Sequence, residues 1–384
     1  MEKVRKSLAA AGEPAFRLRQ ALDAVFKNDI SSWEEARTLP PALRERLNRE
    51  APVLSGLQER VLVSADGRAH KAALRLHDGA LVETVLLRPK PEGDWSVCVS
   101  TQVGCAMACT FCATGLMGLR RNMSGEEISD QVLFWRGYIK ARRLHGRLSN
   151  VVYMGMGEPM HNYAAVSQSL TELLDPERYG LSGRHISVST VGLVPGIERF
   201  IEDFPTVNLA LSLHAATDSV REKMVPATRA FPVAALADVL RKSLAKTGRK
   251  IFLEYVLLDG ENDRIRDSFA LAKFVHSVGR ADLLHVNLIV WNPTATRHQA
   301  TEADNARRFK VALERQGVSV TIRRNLGTDI QGACGQLITR LPPPRSAPRE
   351  AARPAREPRT GERPRSHPPK NRKRPEGGGF RPLS

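Results

Sequence analysis

Long apolar runs are missing from the sequence. None approaches the ~18–20 consecutive residues of a membrane-spanning helix. Residues 1–10 carry charges with no extended apolar core behind them. Neither a membrane partner nor a secretory leader is therefore expected, and the default location is cytoplasmic. Acidic residues are also in short supply: 41 Asp and Glu stand against 58 Lys and Arg, a net charge of +17. That imbalance points to a polyanionic partner, most often nucleic acid. A merely solvated basic surface is the plain alternative. Cysteine is scarce and odd in number, with five in 384 residues. Three of them fall within eight residues, which a disulfide framework in so large a chain would not produce. Reduced, reactive or metal-bound thiols are expected instead.

The final stretch, residues 341–384, lacks apolar side chains to bury. It holds 11 prolines and 12 Lys and Arg against 4 Asp and Glu. It reads as a disordered, Pro/Arg-rich basic tail. Such a tail adds salt-sensitive affinity for a polyanion or serves only as a solubiliser.

Residues 2–51 read as helices, with Phe16, Leu18, Leu22, Ala24, Val25 and Phe26 as an apolar face. Two Asp-Gly turns, Asp66-Gly67 and Asp78-Gly79, then separate short β-rich runs at 60–63, 72–76 and 81–87. From Trp95 the pattern changes. Strand candidates at 96–100, 150–154, 185–190, 207–213, 251–258 and 285–291 alternate with helical stretches at 125–141, 163–174, 233–245, 268–277 and 302–316. Alternation of this kind predicts an α/β fold with a mostly parallel sheet, either open or closed into a partial barrel, and ligands at its carboxyl edge. A last strand at 318–323 leads into a glycine-bearing loop around Cys334. The expected domains are a helical accessory unit at 1–55, a small β extension at 56–94, a barrel at 95–340 and the tail at 341–384.

The strongest chemical signal is Cys105-Ala-Met-Ala-Cys109-Thr-Phe-Cys112, just after the first strand of the alternating series. Three thiolates on one short loop can hold three irons of a [4Fe-4S] cubane. The fourth iron is then open to the amino and carboxylate groups of S-adenosylmethionine (SAM). Structural zinc is the competing assignment, with His161 or His214 as a fourth ligand, but the spacing is poor zinc grammar. Gly155-Met156-Gly157-Glu158 follows the second strand. Glycines there admit close backbone approach, and the carboxylate suits an ammonium. A tight turn alone is the plain alternative. Met160 replaces the last glycine of a dinucleotide fingerprint.

The cysteine motif matches the signature of the radical SAM superfamily. The resemblance extends to Met154-Gly-Met-Gly-Glu-Pro159, Ser187-Val-Ser-Thr190, Ser212-Leu213-His214, Asn287-Leu-Ile289 and Ala333-Cys334-Gly-Gln-Leu337. Together these look like the RlmN/Cfr family of RNA adenine methyltransferases, over residues 16–337. The resemblance implies a radical SAM partial (β/α)6 barrel with an N-terminal helical RNA-binding domain. It implies a cluster on Cys105, Cys109 and Cys112, and SAM held by Gly157, Glu158, Ser189, Ser212, Leu213, His214 and Asn292. Cys334 matches the methyl-carrying cysteine, Cys98 the resolving cysteine and Glu83 a proton acceptor. Taken alone, each cysteine is more often a small core residue, and a strand glutamate is usually solvated.

Chemistry gives the cysteine pair a reason. Adenine C2 and C8 are electrophilic carbons, so polar methyl transfer from SAM is unfavourable. A thiolate can accept a methyl from one SAM. A second SAM yields an adenosyl radical that removes a hydrogen from that methyl, and the carbon then adds to the ring. A proton leaves, and a second thiol releases the product by forming a disulfide. Two SAM molecules are used per turnover. The implied partners are 23S rRNA, with tRNA as a further substrate, and a one-electron donor such as flavodoxin. Arg120, Arg121, Arg323 and Arg324 are candidates for phosphate contacts around a flipped base. Gly157-Glu158-Pro159 and Trp291-Asn292-Pro293 look RlmN-like, which favours C2. Residues 112–119 and 325–330 look closer to Cfr, which methylates C8 and confers antibiotic resistance. Gln331-Gly332 departs from the acidic, Ala-rich sequence usual there. A noncatalytic, metal-stabilised RNA-binding protein and a radical SAM enzyme with another substrate are the remaining alternatives.

Overall fold

The computed structural model describes residues 1–337; the tail expected from residue 341 lies outside them. The chain opens with α1 (Glu2–Ala10) and α2 (Phe16–Leu22), which runs on through a π-helical turn at Asp23–Lys27, followed by α3 (Pro41–Glu50). Proline in the first turn of α3 costs no hydrogen bond, because that N–H would be orphaned anyway. Ala24, Val25 and Phe26 are buried as expected, but Phe16 is 54% exposed, beneath the Arg17 guanidinium. The π turn rotates the inward face onto Ala21, Ala24 and Val25. Trp33 sits at the centre of this unit, wholly buried, with its indole N–H donating to the Ala51 carbonyl at 2.7 Å.

Three antiparallel strands follow: β1 (Gly56–Val63), β2 (Ala69–Leu76) and β3 (Leu81–Leu87). The two Asp-Gly turns join them, Gly67 and Gly79 both taking positive φ. Next come β4 (Trp95–Cys98), β5 (Gln102–Gly104), the short α4 (Ala113–Leu116), β6 (Leu119–Asn122) and α5 (Gly125–Ala141). The chain continues through β7 (Leu148–Tyr153), α6 (Tyr163–Leu174), β8 (Ile186–Thr190), α7 (Val194–Asp203), β9 (Asn208–Ser212), α8 (Asp218–Met224) and α9 (Val233–Thr247). It closes with β10 (Ile251–Leu257), α10 (Ile265–Ser277), β11 (Leu284–Val290), α11 (Ala303–Arg315) and β12 (Val320–Ile322).

Ten strands form one sheet in the order β1-β2-β3-β4-β7-β8-β9-β10-β11-β12. From β4 to β12 every pairing is parallel. The six strands β4, β7, β8, β9, β10 and β11 make the partial (β/α)6 barrel, and β12 adds a seventh parallel strand. The meander β1–β3 joins the barrel edge through β3 and β4, which pair antiparallel with Val85 opposite Cys98. Parallel strands covered by helices are apolar on both faces, and Val151, Val188, Leu211, Leu253 and Val286 along β7 to β11 are wholly buried. The helix α5 starts at a capping box in which Ser124 and Glu127 satisfy each other's backbone N–H groups. No helix among the described residues is long and apolar enough to cross a membrane.

The sequence pattern did not reveal the β5–β6 hairpin, a separate two-stranded sheet. It brackets the three-cysteine loop. Gly104 has φ +81°, and a Cβ there would stand 1.9 Å from the Gly118 carbonyl oxygen. Only glycine lets the two arms of the hairpin come this close.

Candidate active site

The carboxyl ends of the barrel strands surround a cavity of about 980 Å3 including its open mouth. This is where parallel α/β folds place their ligands. Cys105, Cys109 and Cys112 are all on its wall, and so is Cys334, more than 200 positions later in the chain. Backbone bonds tether the cysteine loop: Cys105 N–H to the Gly118 carbonyl at 3.0 Å, Thr110 N–H to Met224 at 2.9 Å and Cys112 N–H to Cys109 at 3.2 Å. Ala108 takes φ +53° within it, a conformation that costs a non-glycine residue energy and is retained where surroundings enforce it.

Burial pushes the Cys105 thiol up to about 12, and raises Cys109 and Cys112 as well; negative charge on the neighbouring cysteines adds to the rise at Cys105 and Cys109. Three thiolates cannot coexist here unless cations accompany them. Three irons, each taking one sulfur, meet that need. Among the described residues no group of three His, Cys, Asp or Glu converges as one mononuclear ion would require; a cubane needs no such convergence.

The opposite wall carries the residues expected to hold SAM. Gly157, at φ +101°, presses against Gln102, where a Cβ would meet the Gln102 side chain at 2.6 Å. The Gln102 amide oxygen accepts the Glu158 N–H at 2.8 Å. The Glu158 carboxylate is buried and accepts N–H bonds from Met160 at 3.0 Å and Val191 at 2.9 Å. It thus also pins the β7 and β8 loops together. Ser189 and Ser212 share a hydroxyl hydrogen bond of 2.9 Å between the ends of β8 and β9. His214 is buried and packs edge-on against Phe111, with ring centroids 4.9 Å apart. Its Nδ1 accepts the Val256 N–H at 3.2 Å. Burial, with some help from Arg221, pushes its pKa down to about 3, so the ring is neutral near pH 7. Leu213 is the one expected SAM residue whose side chain belongs to the core rather than the cavity wall. Asn292 donates to the Cys334 carbonyl at 3.1 Å, yet its own buried side-chain oxygen has no partner. An orphaned acceptor on a cavity wall fits a ligand that brings a donor, such as the ammonium or ribose of SAM. The residues present fit both cluster and SAM.

The Cys334 loop is fastened from several sides. Gly335 accepts the Ala113 N–H at 2.8 Å and Leu337 accepts the Thr114 hydroxyl at 2.7 Å. The Gln336 amide donates to the Pro293 carbonyl at 3.0 Å, and two residues before it the Trp291 indole N–H ties the end of β11 to the Phe111 carbonyl of the three-cysteine loop at 3.0 Å. The meander contributes as well, through Ala65 N–H to Asp329 at 2.8 Å. Cys334 itself is exposed, whereas Cys98 is buried behind the wall at the end of β4. The two are near enough that negative charge on Cys334 adds to the effect of burial, which pushes the Cys98 thiol up to about 12. All five cysteines are free thiols, so the Cys98–Cys334 disulfide that the resemblance implies is not formed in this structure.

Glu83 departs from the solvated default. It is buried and ion-paired to Lys71 at 3.0 Å, both side chains being at most 7% exposed. Two of the expected phosphate-binding arginines are engaged elsewhere. Arg121 pairs with Asp78 and Glu127. Arg323 lines the cavity and pairs with buried Glu254 at 3.1 Å, whose other oxygen accepts from Asn287 at 2.9 Å. Arg120 and Arg324 remain exposed. The sequence did not single out Lys71, Glu254 or Asn262, which donates to the His214 carbonyl at 2.7 Å. They lie mid-strand or in a loop without a motif of their own.

The radical SAM superfamily model matches residues 99–272. A probable dual-specificity RNA methyltransferase RlmN of Chloroflexus aurantiacus is 42% identical over 346 residues, covering 88% of this chain and 91% of that protein. A ribosomal RNA large subunit methyltransferase Cfr of Lachnoclostridium phytofermentans is 37% identical over 343 residues, covering 88% and 97%. The crystal structure of a radical SAM methyltransferase from Sphaerobacter thermophilus superimposes with a TM-score of 0.81 at 39% identity, covering 86% of this chain and 95% of that one. With identity of this order spread over nearly all the described residues, the chain is an enzyme of the RlmN/Cfr family of radical SAM RNA methyltransferases.

Proposed function

We propose that the protein methylates a ring carbon of adenine in RNA, C2 in preference to C8, with 23S rRNA as substrate and tRNA as a second one. The observation that carries this reading is the presence of Cys334 on the wall of the cavity that also holds Cys105, Cys109 and Cys112. A thiol on that wall can take and carry a methyl group, a role that most radical SAM chemistry does not need.

Cys105, Cys109 and Cys112 would hold the [4Fe-4S] cluster, and Gly157, Glu158, Ser189, Ser212, His214 and Asn292 would hold SAM, with Leu213 contributing through its backbone. When bound, these groups supply a methyl group, then a hydrogen-abstracting adenosyl radical, and a place for the electron released when the ring regains aromaticity. Cys334, as thiolate, takes the methyl and keeps its carbon within the cavity. After one hydrogen atom is lost, that carbon bonds to the adenine ring. Glu83 accepts the proton that leaves the ring carbon, while the C–H electron pair stays with the ring. Cys98 then attacks the Cys334 sulfur. The S–S bond forms as the S–CH2 bond breaks, and the freed carbon takes a proton to become the product methyl. A thiol reductant reopens the disulfide. Two SAM molecules are consumed, and a one-electron donor such as flavodoxin starts each cycle. The N-terminal helices, residues 1–55, would bind RNA beside the barrel, with the strand extension at 56–94 and the barrel at 95–340 as the remaining domains.

The likeness of residues 112–119 and 325–330 to Cfr supports a C8 reading as the alternative. Nucleoside mass spectrometry on protein-free rRNA and tRNA, after incubation with cluster-loaded enzyme, SAM and reductant, decides between them. We expect 2-methyladenosine. Finding 8-methyladenosine alone would move the protein to the other product. Finding neither, with SAM still cleaved, would overturn the RNA substrate.

A further inference from the structure

Lys71 enters none of the roles above, yet it is one of the most deeply placed cations in the molecule, only 6% exposed. Strand register explains where it points. Lys71 stands opposite Val85 and Ala73 opposite Glu83 in the β2–β3 pair, so Lys71 and Glu83 are diagonal neighbours on one face. Val85 in turn stands opposite Cys98 in the β3–β4 pair. Residues directly opposite one another share a face of the sheet. Lys71, Glu83 and Cys98 therefore lie on the same face.

The Lys71 ammonium makes two bonds there. One is the 3.0 Å ion pair with Oε1 of Glu83. The other runs 3.2 Å to the main-chain carbonyl of Gln331, three residues before Cys334. Gln331 takes the left-handed conformation, φ +53° and ψ +37°, and its peptide is anchored on both sides by Gln331 N–H to the Thr328 carbonyl at 3.1 Å and Gly332 N–H to the Gly327 carbonyl at 2.8 Å. The Glu83 main chain is tied down as well: its carbonyl accepts the Ser100 hydroxyl at 2.5 Å, and that hydroxyl oxygen accepts the Met156 N–H at 2.8 Å. A buried carboxylate is costly unless a cation accompanies it. A lysine placed only for that purpose would not also need to reach the loop that carries the reactive thiol.

We propose that Lys71 is a positioning residue for the reaction, fastening the Glu83 carboxylate and the Cys334 loop to a single ammonium so that proton acceptor and methyl-carrying thiol keep a fixed separation. This rests on the reading of Glu83 as proton acceptor. In the step concerned, the ring-carbon proton passes to a Glu83 carboxylate oxygen while the C–H pair stays with the ring; Lys71 keeps its own protons throughout. Its effect falls on the stage after the carbon has bonded to RNA, because the other ties on the Cys334 loop, Ala113 on Gly335 and Thr114 on Leu337, keep the thiol in place for the earlier methylation.

The test uses cluster-loaded full-length enzyme with Lys71→Met, Lys71→Arg, Glu83→Gln and the double variant Lys71→Met/Glu83→Gln. Iron content reports the cluster, intact mass reports methyl on Cys334, and a denaturing gel reports RNA bound covalently to protein. Lys71→Met should carry iron and methyl at wild-type levels, yet form product about 10- to 100-fold more slowly while the RNA–protein adduct accumulates, the scale expected when a reacting group is misplaced by about an ångström. Lys71→Arg should recover much of the loss. The double variant, which removes both charges and so avoids a lone buried carboxylate, should be no slower than Glu83→Gln alone, since both changes act on one step.

Wild-type turnover by Lys71→Met would overturn the proposal. So would a parallel loss of iron, methyl and product without adduct, which marks a role in folding only, or additive losses in the double variant. Should Glu83→Gln release product normally, it is the Glu83 assignment that fails. If Glu83→Gln traps adduct and Lys71→Met does not, the Lys71 inference alone falls.

Discussion

Asn292 donates its side-chain amide to the carbonyl of Cys334, its neighbour on the cavity wall, at 3.1 Å, while its own oxygen stays buried and unpaired. One side chain thus fixes the Cys334 loop and presents an acceptor to whatever fills the space beside it. Removing it should affect both. Asn292→Ala is expected to weaken SAM binding about 10-fold or more, the range of a hydrogen bond to a charged partner at ~1.5–3 kcal/mol. Calorimetric titration of cluster-loaded enzyme with SAM checks this, and unchanged affinity would remove Asn292 from the SAM site.

The two remaining cysteines should fail in different ways. Cys334→Ala should cleave SAM yet neither carry a methyl nor attach to RNA. Cys98→Ala should attach to RNA and stay attached, because nothing is left to attack the Cys334 sulfur. Denaturing electrophoresis of labelled RNA separates the two cases. If Cys98→Ala turns over freely, another thiol resolves the adduct.

Asp130 on α5 offers a pH test away from the chemistry. Its carboxylate accepts the Ser55 N–H at 2.8 Å, and burial pushes its pKa up to about 7. A folded-state pKa raised above the unfolded value of 3.8 gives stability that is fully present below 3.8 and is lost as pH rises through 7. Asparagine keeps the acceptor and cannot ionise. Asp130→Asn should therefore melt higher than wild type at pH 8 and nearly equally at pH 4. Equal melting temperatures at both pH values would show that the carboxyl is not held protonated.

Gly104→Ala should disable the cluster loop without touching a cysteine. The new Cβ would stand 1.9 Å from the Gly118 carbonyl oxygen. Backbone on both sides of the collision leaves the β5–β6 hairpin no way to close. Iron and sulfide per chain after reconstitution should drop by more than half, while far-ultraviolet circular dichroism, dominated by the large sheet and its helices, changes little. Full iron loading would mean that the hairpin is not needed to shape the loop.

The alternating strands and helices were legible because each carried its own period. The stretch at 125–141 is apolar at helical spacing behind a Ser-x-x-Glu box, and it is a helix over that span. The hairpin around the cysteines was not legible, because strands of three and four residues are too short to show alternation and their pairing depends on two glycines 14 positions apart. Glu83 was misjudged for a related reason. In Val82-Glu83-Thr84-Val85 the glutamate shares one face with Val85 and the threonine shares the other with Val82, so neither face reads as wholly apolar and a glutamate there reads as solvated by default. However, β3 runs inside the sheet with both faces covered, and the cation that makes this tolerable is 12 positions away on another strand. The cavity wall itself was legible at its motifs and illegible between them, as Arg323 paired with Glu254 illustrates.

The Cys334 loop is clasped by partners that lie 223 to 264 positions earlier in the chain: Thr114 on Leu337, Lys71 on Gln331 and Ala65 on Asp329. Contacts this distant in sequence are the last that a growing polypeptide can make. Through most of its synthesis the molecule has its three-cysteine loop and the carboxyl edge of its sheet, but not the Cys334 segment of the cavity wall. The order of the chain therefore completes the cavity wall last: Cys334 joins it only after every barrel strand has been made.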